Sequence, residues 1–234
     1  MKDTREPMTS LPDSVNAIAE FEGGSLKQRI SQLEKALQNA SPSDCVALLS
    51  ERGISPGLLR SCVMVKQAAA QIDVVLHTVG ILVSLSRLLH PDETIESLSL
   101  GAGNTGRAFD LQTNLRIAEF KFINWRGGSE AIRQNSLFKD FYLLAEANTP
   151  KERYLYAIDT DRPLRFLNGR RAIRSILSHE NKLWMDFQGR YGDRFSVVCE
   201  YFEYRKDLVK IVALSELLPD LWAGPDRPNE EEAC

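Results

Sequence analysis

The sequence predicts a mixed α/β domain preceded by a helical extension. Apolar residues recur at helical spacing between residue 25 and about residue 89, whereas after residue 96 they alternate with polar residues as in β-strands. Turns rich in glycine and asparagine separate three strand-like segments, and a further helical pattern follows them. A chain of 234 residues is long enough for one large domain with such an extension.

The N-terminal part is predicted to be a polar leader followed by three helices. Residues 1–24 are polar and end in two glycines, so we expect a flexible leader there. Ser25 is a suitable capping residue for the first helix, and Ser55-Pro56 for the third. The predicted helices span residues 25–39, residues 41 or 43 to 53, and residues 55–89, the last with a bend.

The remaining elements are predicted in the order strand, strand, strand, helix, strand and then mostly helices. Proline and aspartate after His90 end the long helical stretch, and the period of the apolar residues then changes to two. The predicted strands are 96–100, 107–111, 115–123, 154–158 and 209–214. The predicted helices are 129–147, 170–178, 180–190, 194–206 and a short one ending near Trp222.

The composition is that of an ordinary globular protein and excludes several classes. The net charge is −3, with −3 in residues 1–24 and −3 after residue 223, so the body carries about +3, which permits nucleic-acid binding. The four cysteines form no CxxC pair, which argues against a zinc site or a disulfide framework. The N-terminus lacks an apolar signal core, and the apolar stretch 72–89 contains Asp73, His77 and Arg87. We therefore expect a cytoplasmic protein without a membrane span.

Residues 101–106 match the pattern GxGxxG of dinucleotide-binding proteins. In those proteins the glycines open a helix whose N-terminus binds the pyrophosphate. The residues that follow here, from Arg107 to Asn114, have turn and strand character. We therefore expect an ordinary glycine-rich turn rather than a cofactor site.

The third predicted strand carries the charges that suggest a catalytic site. Glu119 and Lys121 lie on one face of this strand, while Ala118, Phe120 and Phe122 lie on the other. Asp110 belongs to the preceding strand, and a turn near Thr113 places residues 108–110 roughly opposite residues 117–119. Two carboxylates can hold Mg²⁺ or Mn²⁺, and a nearby lysine can orient water or meet charge developing on a phosphate. An exposed Glu-x-Lys pair is nevertheless common in strands and often does little.

Together with the element order, Phe109-Asp110 and Glu119-Phe120-Lys121 resemble the PD-(D/E)XK nuclease superfamily over roughly residues 70–160. The resemblance implies a restriction-endonuclease-like fold, a mixed central sheet flanked by helices, within residues 55–223. Residues 1–54 would be the leader and helical extension, and residues 224–234 an acidic disordered tail. It implies that Asp110, Glu119 and the Phe120 carbonyl bind Mg²⁺ or Mn²⁺, and that Lys121 activates or orients water. Phe109 stands where many members have proline.

Two further residues, Asp73 and Gln134, are candidates for the site, and each also has a non-functional interpretation. Asp73 lies on a polar helical stripe with His77, Gly80, Ser84 and Arg87, and we expect this stripe to face solvent or another helix. If the stripe faces the site instead, Asp73 is a further metal or water ligand, while His77 is expected to be structural. The resemblance also implies a catalytic role for Gln134, followed by an aromatic residue at 138, although a helix-start glutamine can simply be hydrated.

The resemblance implies a nuclease that acts on DNA, and basic residues near the site would contact the phosphate backbone. The candidates are Arg126, Arg133, Lys139, Arg170 and Arg171. The last two belong to a run of arginines, and such a run is usually a solvated face. A homodimer would suit a protein that cuts two strands with one site per chain. The alternative is a catalytically inactive nuclease-fold protein that acts through dimerisation or nucleic-acid binding.

Overall fold

The chain forms two compact units, Met1–Ile72 and Asp73–Cys234. The structure, a computed structural model, describes residues 10–101, 108–122 and 130–219. The boundary between the units lies at residues 72 and 73, whereas the sequence analysis placed it at residues 54 and 55. The predicted helix near Trp222, the tail 224–234 and most of the glycine-rich turn lie outside the described residues.

The described part of the N-terminal unit, residues 10–72, contains four helices, one more than predicted. They are α1 (Leu11–Glu22), α2 (Leu26–Leu37), α3 (Pro42–Glu51) and α4 (Pro56–Ala68). The prediction of a flexible leader is wrong for α1, because Ser10 and Asp13 form a capping box at its start. Helix α1 packs on α4, and the only buried side chains in the described part of this unit are Ser14 and Ser61.

The long apolar stretch predicted as one bent helix is divided. Helix α4 ends at Ala68 and α5 (Ile72–Leu88) begins after a short turn. By length and composition alone the stretch Pro56–Leu88 could cross a membrane, and 11% of its most apolar window is buried. Core helices and signal sequences satisfy the same criterion, so this is a weak indication.

A five-stranded mixed sheet forms the centre of the second unit. Its strands lie in the order of the chain, β1-β2-β3-β4-β5, with β1, β2 and β3 antiparallel and β3, β4 and β5 parallel. They are β1 (Ile95–Leu98), β2 (Leu111–Thr113), β3 (Arg116–Lys121), β4 (Glu152–Ala157) and β5 (Lys210–Ala213). The prediction of a mixed sheet flanked by helices is confirmed at this level.

Helices cover both faces of the sheet. On one face Ala118, Phe120 and Phe122 pack against α5 residues such as Ile81 and Leu85. On the other face Ile117 and Leu155 pack against the helices that follow β3. These are α6 (Glu130–Ala145), α7 (Asp161–Leu167), α8 (Ile173–Leu177), α9 (Asn181–Tyr191) and α10 (Val198–Arg205), while a short α11 (Leu214–Leu217) follows β5. The alternation along β3 therefore divides its side chains between two cores, as the period of two predicted.

The second strand differs from its prediction in position. Residues 108–110 form a bend, and Leu111–Thr113, predicted largely as a turn, forms β2. Leu111 pairs with Ala118 and Gln112 with Ile117, so Asp110 lies next to Glu119 rather than opposite Ile117. Strand β2 also pairs with β1, with Leu98 opposite Leu111.

Candidate functional site

Asp110, which immediately precedes β2, is fixed by groups from β3 and α5. Its Oδ2 accepts a hydrogen bond from the Phe120 backbone N–H at 3.0 Å. Its Oδ1 lies 3.4 Å from His77 Nε2 on α5. Burial acts to raise the pKa of Asp110, but the contacts with His77 and the Phe120 N–H outweigh it and hold this pKa below its ordinary value. Asp110 is therefore a preoriented carboxylate.

Glu119 is a buried carboxyl group, and the acidic groups around it outweigh the positive charge of Lys121. Its side chain points to the α6 side of β3, and only 8% of the residue is exposed. Burial and the charges of Asp140 and Asp110 raise the pKa of Glu119 to about 10, against the opposing charge of Lys121. In the protein without metal, Glu119 is thus protonated at neutral pH and shares a hydrogen bond with Asp110.

Lys121 forms an ion pair with Asp140 of α6. Both side chains are largely buried, at 15% and 10% exposure. Burial acts to lower the pKa of Lys121, but the charge of Asp140 and the other acidic groups nearby outweigh it and raise this pKa. Burial also raises the pKa of Asp140, in opposition to Lys121. Lys121 is consequently a charged ammonium group next to the two site carboxyls.

Asp140 contacts Lys121 and His77 contacts Asp110, but the sequence predicted neither of them as a site residue. Asp140 is three residues after Leu137 and four before Leu144, both in the buried stripe of α6. A charged residue at such a position needs a partner, and this signal was available in the sequence. His77 was expected to be structural, yet it contacts Asp110 directly.

The middle part of the polar stripe on α5 faces the sheet. This is contrary to the expectation that the stripe faces solvent or another helix. His77 contacts Asp110, Ser84 is fully buried, and a Cβ on Gly80 would lie 2.4 Å from the Phe122 ring. The Ser84 hydroxyl donates to the Gly80 carbonyl at 2.7 Å, which satisfies it inside the core. Asp73 and Arg87, at the two ends of the stripe, are exposed. Asp73 is one helical turn before His77, which places it near the margin of the site.

Gln134 lies on the first turns of α6. It contacts Arg171, a predicted DNA-binding residue, rather than Asp110 or Glu119. Its Oε1 accepts from Arg171 Nη1 at 2.6 Å, and its Nε2 donates to Glu130 at 3.0 Å. Lys139 forms an ion pair with Glu180 at 2.7 Å. Arg133 is half-buried and Arg170 is exposed, while Arg126 lies outside the described residues. The structure thus brings together Gln134 and Arg171 near the start of α6.

The donor set at Asp110 and Glu119 suits a hard divalent cation such as Mg²⁺. Within residues 10–101, 108–122 and 130–219, no group of three or more His, Cys, Asp or Glu side chains is placed to hold a metal ion. Two adjacent carboxyl groups are present, however, and their mutual repulsion adds to burial and to the charge of Asp140 in raising the pKa of Glu119. A divalent cation between them would offset that repulsion, and its remaining ligands would be water and carbonyl oxygens. The chemistry of the donor set therefore fits Mg²⁺ or Mn²⁺.

No family model, curated protein or solved structure matches this chain. The carboxyl and lysine cluster is the observation from which a function can be inferred.

Proposed function

We propose that this protein is a divalent-metal-dependent nuclease of the PD-(D/E)XK type, with a restriction-endonuclease-like fold, that hydrolyses phosphodiester bonds in DNA. The observation that carries this proposal is the convergence of Asp110, Glu119 and Lys121 at the ends of β2 and β3. The element order α5-β1-β2-β3-α6-β4 supports it, because it is the order that the resemblance implies. Isolated buried charges are costly, so their presence together calls for a chemical reason.

Each residue of the cluster has a distinct role in the proposed reaction. Asp110, oriented by the Phe120 N–H and His77, and Glu119 would hold Mg²⁺ or Mn²⁺, with the Phe120 carbonyl as a further ligand. When bound, the ion polarises the phosphate and lowers the pKa of a bound water. The ammonium group of Lys121 donates hydrogen bonds to water or to the phosphate and stabilises developing negative charge. Gln134 would act indirectly, through Arg171, and Asp73 would lie at the margin of the site.

Substrate binding in this proposal depends on arginines from two elements. Arg133 lies on the first turns of α6, and Arg170 and Arg171 precede α8. The contact between Arg171 and Gln134 links these elements. Phosphate contacts of this kind position a duplex without reading its sequence. The protein would act in the cytoplasm, where DNA is accessible and cysteines stay reduced.

The proposal is tested by metal binding and cleavage in matched variants. Calorimetry with Mn²⁺ should detect binding to the wild type and none to Asp110→Ala/Glu119→Ala, because the double variant lacks both carboxylates. Cleavage of plasmid and single-stranded DNA should require Mg²⁺ and be lost in Lys121→Ala, which retains metal binding. Glu152→Gln, which alters an exposed carboxylate on β4, serves as the control for both assays. Equal Mn²⁺ binding by the wild type and the double variant would remove the metal assignment, and undiminished cleavage by Lys121→Ala would remove the nuclease assignment.

A second candidate function is that of an inactive nuclease-fold protein which binds a partner or dimerises. It is favoured by the apolar side chains that α5 exposes on the face opposite the sheet. These residues are Ile72, Val75, Leu76, Val79, Leu82 and Val83. An exposed apolar surface of this kind is typical of interaction sites. Absence of Mn²⁺ binding together with self-association in ultracentrifugation would favour this candidate over the nuclease.

A further inference from the structure

We infer that Asp140 is a positioning residue that fixes the ammonium group of Lys121 for the reaction. This inference deepens the proposed nuclease function and rests on it for its catalytic part. It is carried by the buried ion pair between the two residues and by the place of Asp140 on α6.

The position of Asp140 is costly unless the residue has a specific purpose. It lies in the stripe by which α6 packs on the sheet, among Leu137, Phe141 and Leu144, and is 7% exposed. An apolar side chain would satisfy the packing of this stripe at lower cost, since a buried ion pair is seldom better than a well-packed hydrophobic residue. Stability alone therefore does not account for a carboxylate at this position.

The ion pair determines where the Lys121 ammonium group can lie. A lysine side chain has four flexible carbons, and its ammonium group has three hydrogen-bond donors. One of them is directed to Asp140, which holds the group on the α6 side of β3, the side on which Glu119 also lies. The ammonium group has two further donors, which in the proposed reaction would bind water or phosphate. Without Asp140 the ammonium group would be free to move toward Glu119 and occupy the position of the metal.

A second buried ion pair in the same unit shows what a purely structural pair looks like. Glu93 accepts two hydrogen bonds from the Arg116 guanidinium, both at 2.6 Å, and a third at 2.6 Å from Thr113. Arg116 also donates to Tyr156, so this network is closed among core residues. Lys121, in contrast, has Asp110 and Glu119 as further acidic neighbours. The two pairs thus provide a matched comparison.

The test compares Asp140→Asn, Asp140→Glu and Glu93→Gln in the full chain. With Mg²⁺ and plasmid DNA, Asp140→Asn should lower kcat roughly 10- to 100-fold while KM and Mn²⁺ affinity stay near wild type. Asp140→Glu, which restores the carboxylate, should recover part of kcat. Glu93→Gln should lower the midpoint of unfolding and leave kcat unchanged. Circular dichroism at the assay temperature establishes that each variant is folded.

A second readout does not depend on activity. Nitrogen-15 NMR of the lysine ammonium groups, assigned with Lys121→Arg, should give an ordered, exchange-protected Lys121 signal in the wild type and in Glu93→Gln. The signal should lose its protection in Asp140→Asn. An unchanged Lys121 signal in Asp140→Asn overturns the inference, as does a kcat equal to that of the wild type. If the wild type cleaves no DNA but the Lys121 signal responds as expected, the nuclease proposal fails while the positioning of Lys121 by Asp140 stands.

Discussion

Glu119 shows how burial and neighbouring charges change the chemistry of a single residue. Its pKa rises from an ordinary value of 4.5 to about 10, because the side chain is buried beside Asp140 and Asp110. Between these two pH values the folded protein binds one proton more than the unfolded chain. Stability contributed by this group therefore falls as the pH rises through that range, by at most about 1.4 kcal/mol per pH unit.

The prediction at this scale concerns Glu119→Gln, which keeps the shape of the protonated side chain but cannot ionise. Urea unfolding in EDTA at about pH 6 and about pH 9 should show a loss of stability with pH in the wild type and a smaller loss in the variant. Glu152→Gln, which alters an exposed carboxylate, should behave like the wild type. Equal pH dependence in Glu119→Gln and the wild type would contradict the raised pKa.

At the scale of elements, the Glu93–Arg116 pair joins the turn after α5 to three strands. Glu93 lies just beyond α5, Arg116 begins β3, Thr113 ends β2, and Tyr156 is on β4. Glu93 also accepts from the His90 backbone N–H at 3.2 Å. The network fixes where α5 ends relative to β2, β3 and β4, at the end of β2 and β3 that is remote from Asp110 and Glu119, so its contribution is to the stability of the fold.

Removal of one partner from this network should be strongly destabilising. Glu93→Ala leaves the buried Arg116 guanidinium without its carboxylate, and we expect a loss of about 3–5 kcal/mol in the free energy of unfolding. Urea denaturation monitored by circular dichroism measures it. Glu152→Ala, which removes an exposed pair with Lys210, should have little effect. A loss for Glu93→Ala as small as that of the control would show that the network is not essential.

The elements differ in how well local sequence predicts them. Strand β3 was predicted correctly because its side chains alternate with a period of two, and Ile117 lies in one core while Ala118 and Phe120 lie in the other. Strand β2 was misplaced because its residues are fixed by pairing with β1, a tertiary effect. Helix α1 was not predicted, although Ser10 and Asp13 form a capping box at its start. Helix α7 was not predicted, although Pro163 lies in its first turn, where proline is tolerated.

At the scale of the whole molecule, the sequence predicted the mixed sheet and placed Asp110, Glu119 and Lys121 together. It did not predict Asp140, because the charge interrupts an apolar stripe and its partner is nineteen residues earlier on another element. It also assigned α4 to the nuclease-like domain, whereas contacts group it with α1. Contacts between elements decide such points, and a periodic pattern within one element cannot reveal them.

The division into two units predicts unequal stability when they are separated. Both hydrophobic cores consist of residues from Ile81 onward, and all the site carboxyls lie in the same unit. A fragment of residues 73–234 should therefore unfold cooperatively on heating and bind Mn²⁺ as the full chain does, because burial of apolar surface is the main source of stability. A fragment of residues 1–72, whose described part buries only Ser14 and Ser61, should be largely unfolded by circular dichroism. Loss of cooperative unfolding in the 73–234 fragment would mean that the N-terminal helices are required for the fold of the site.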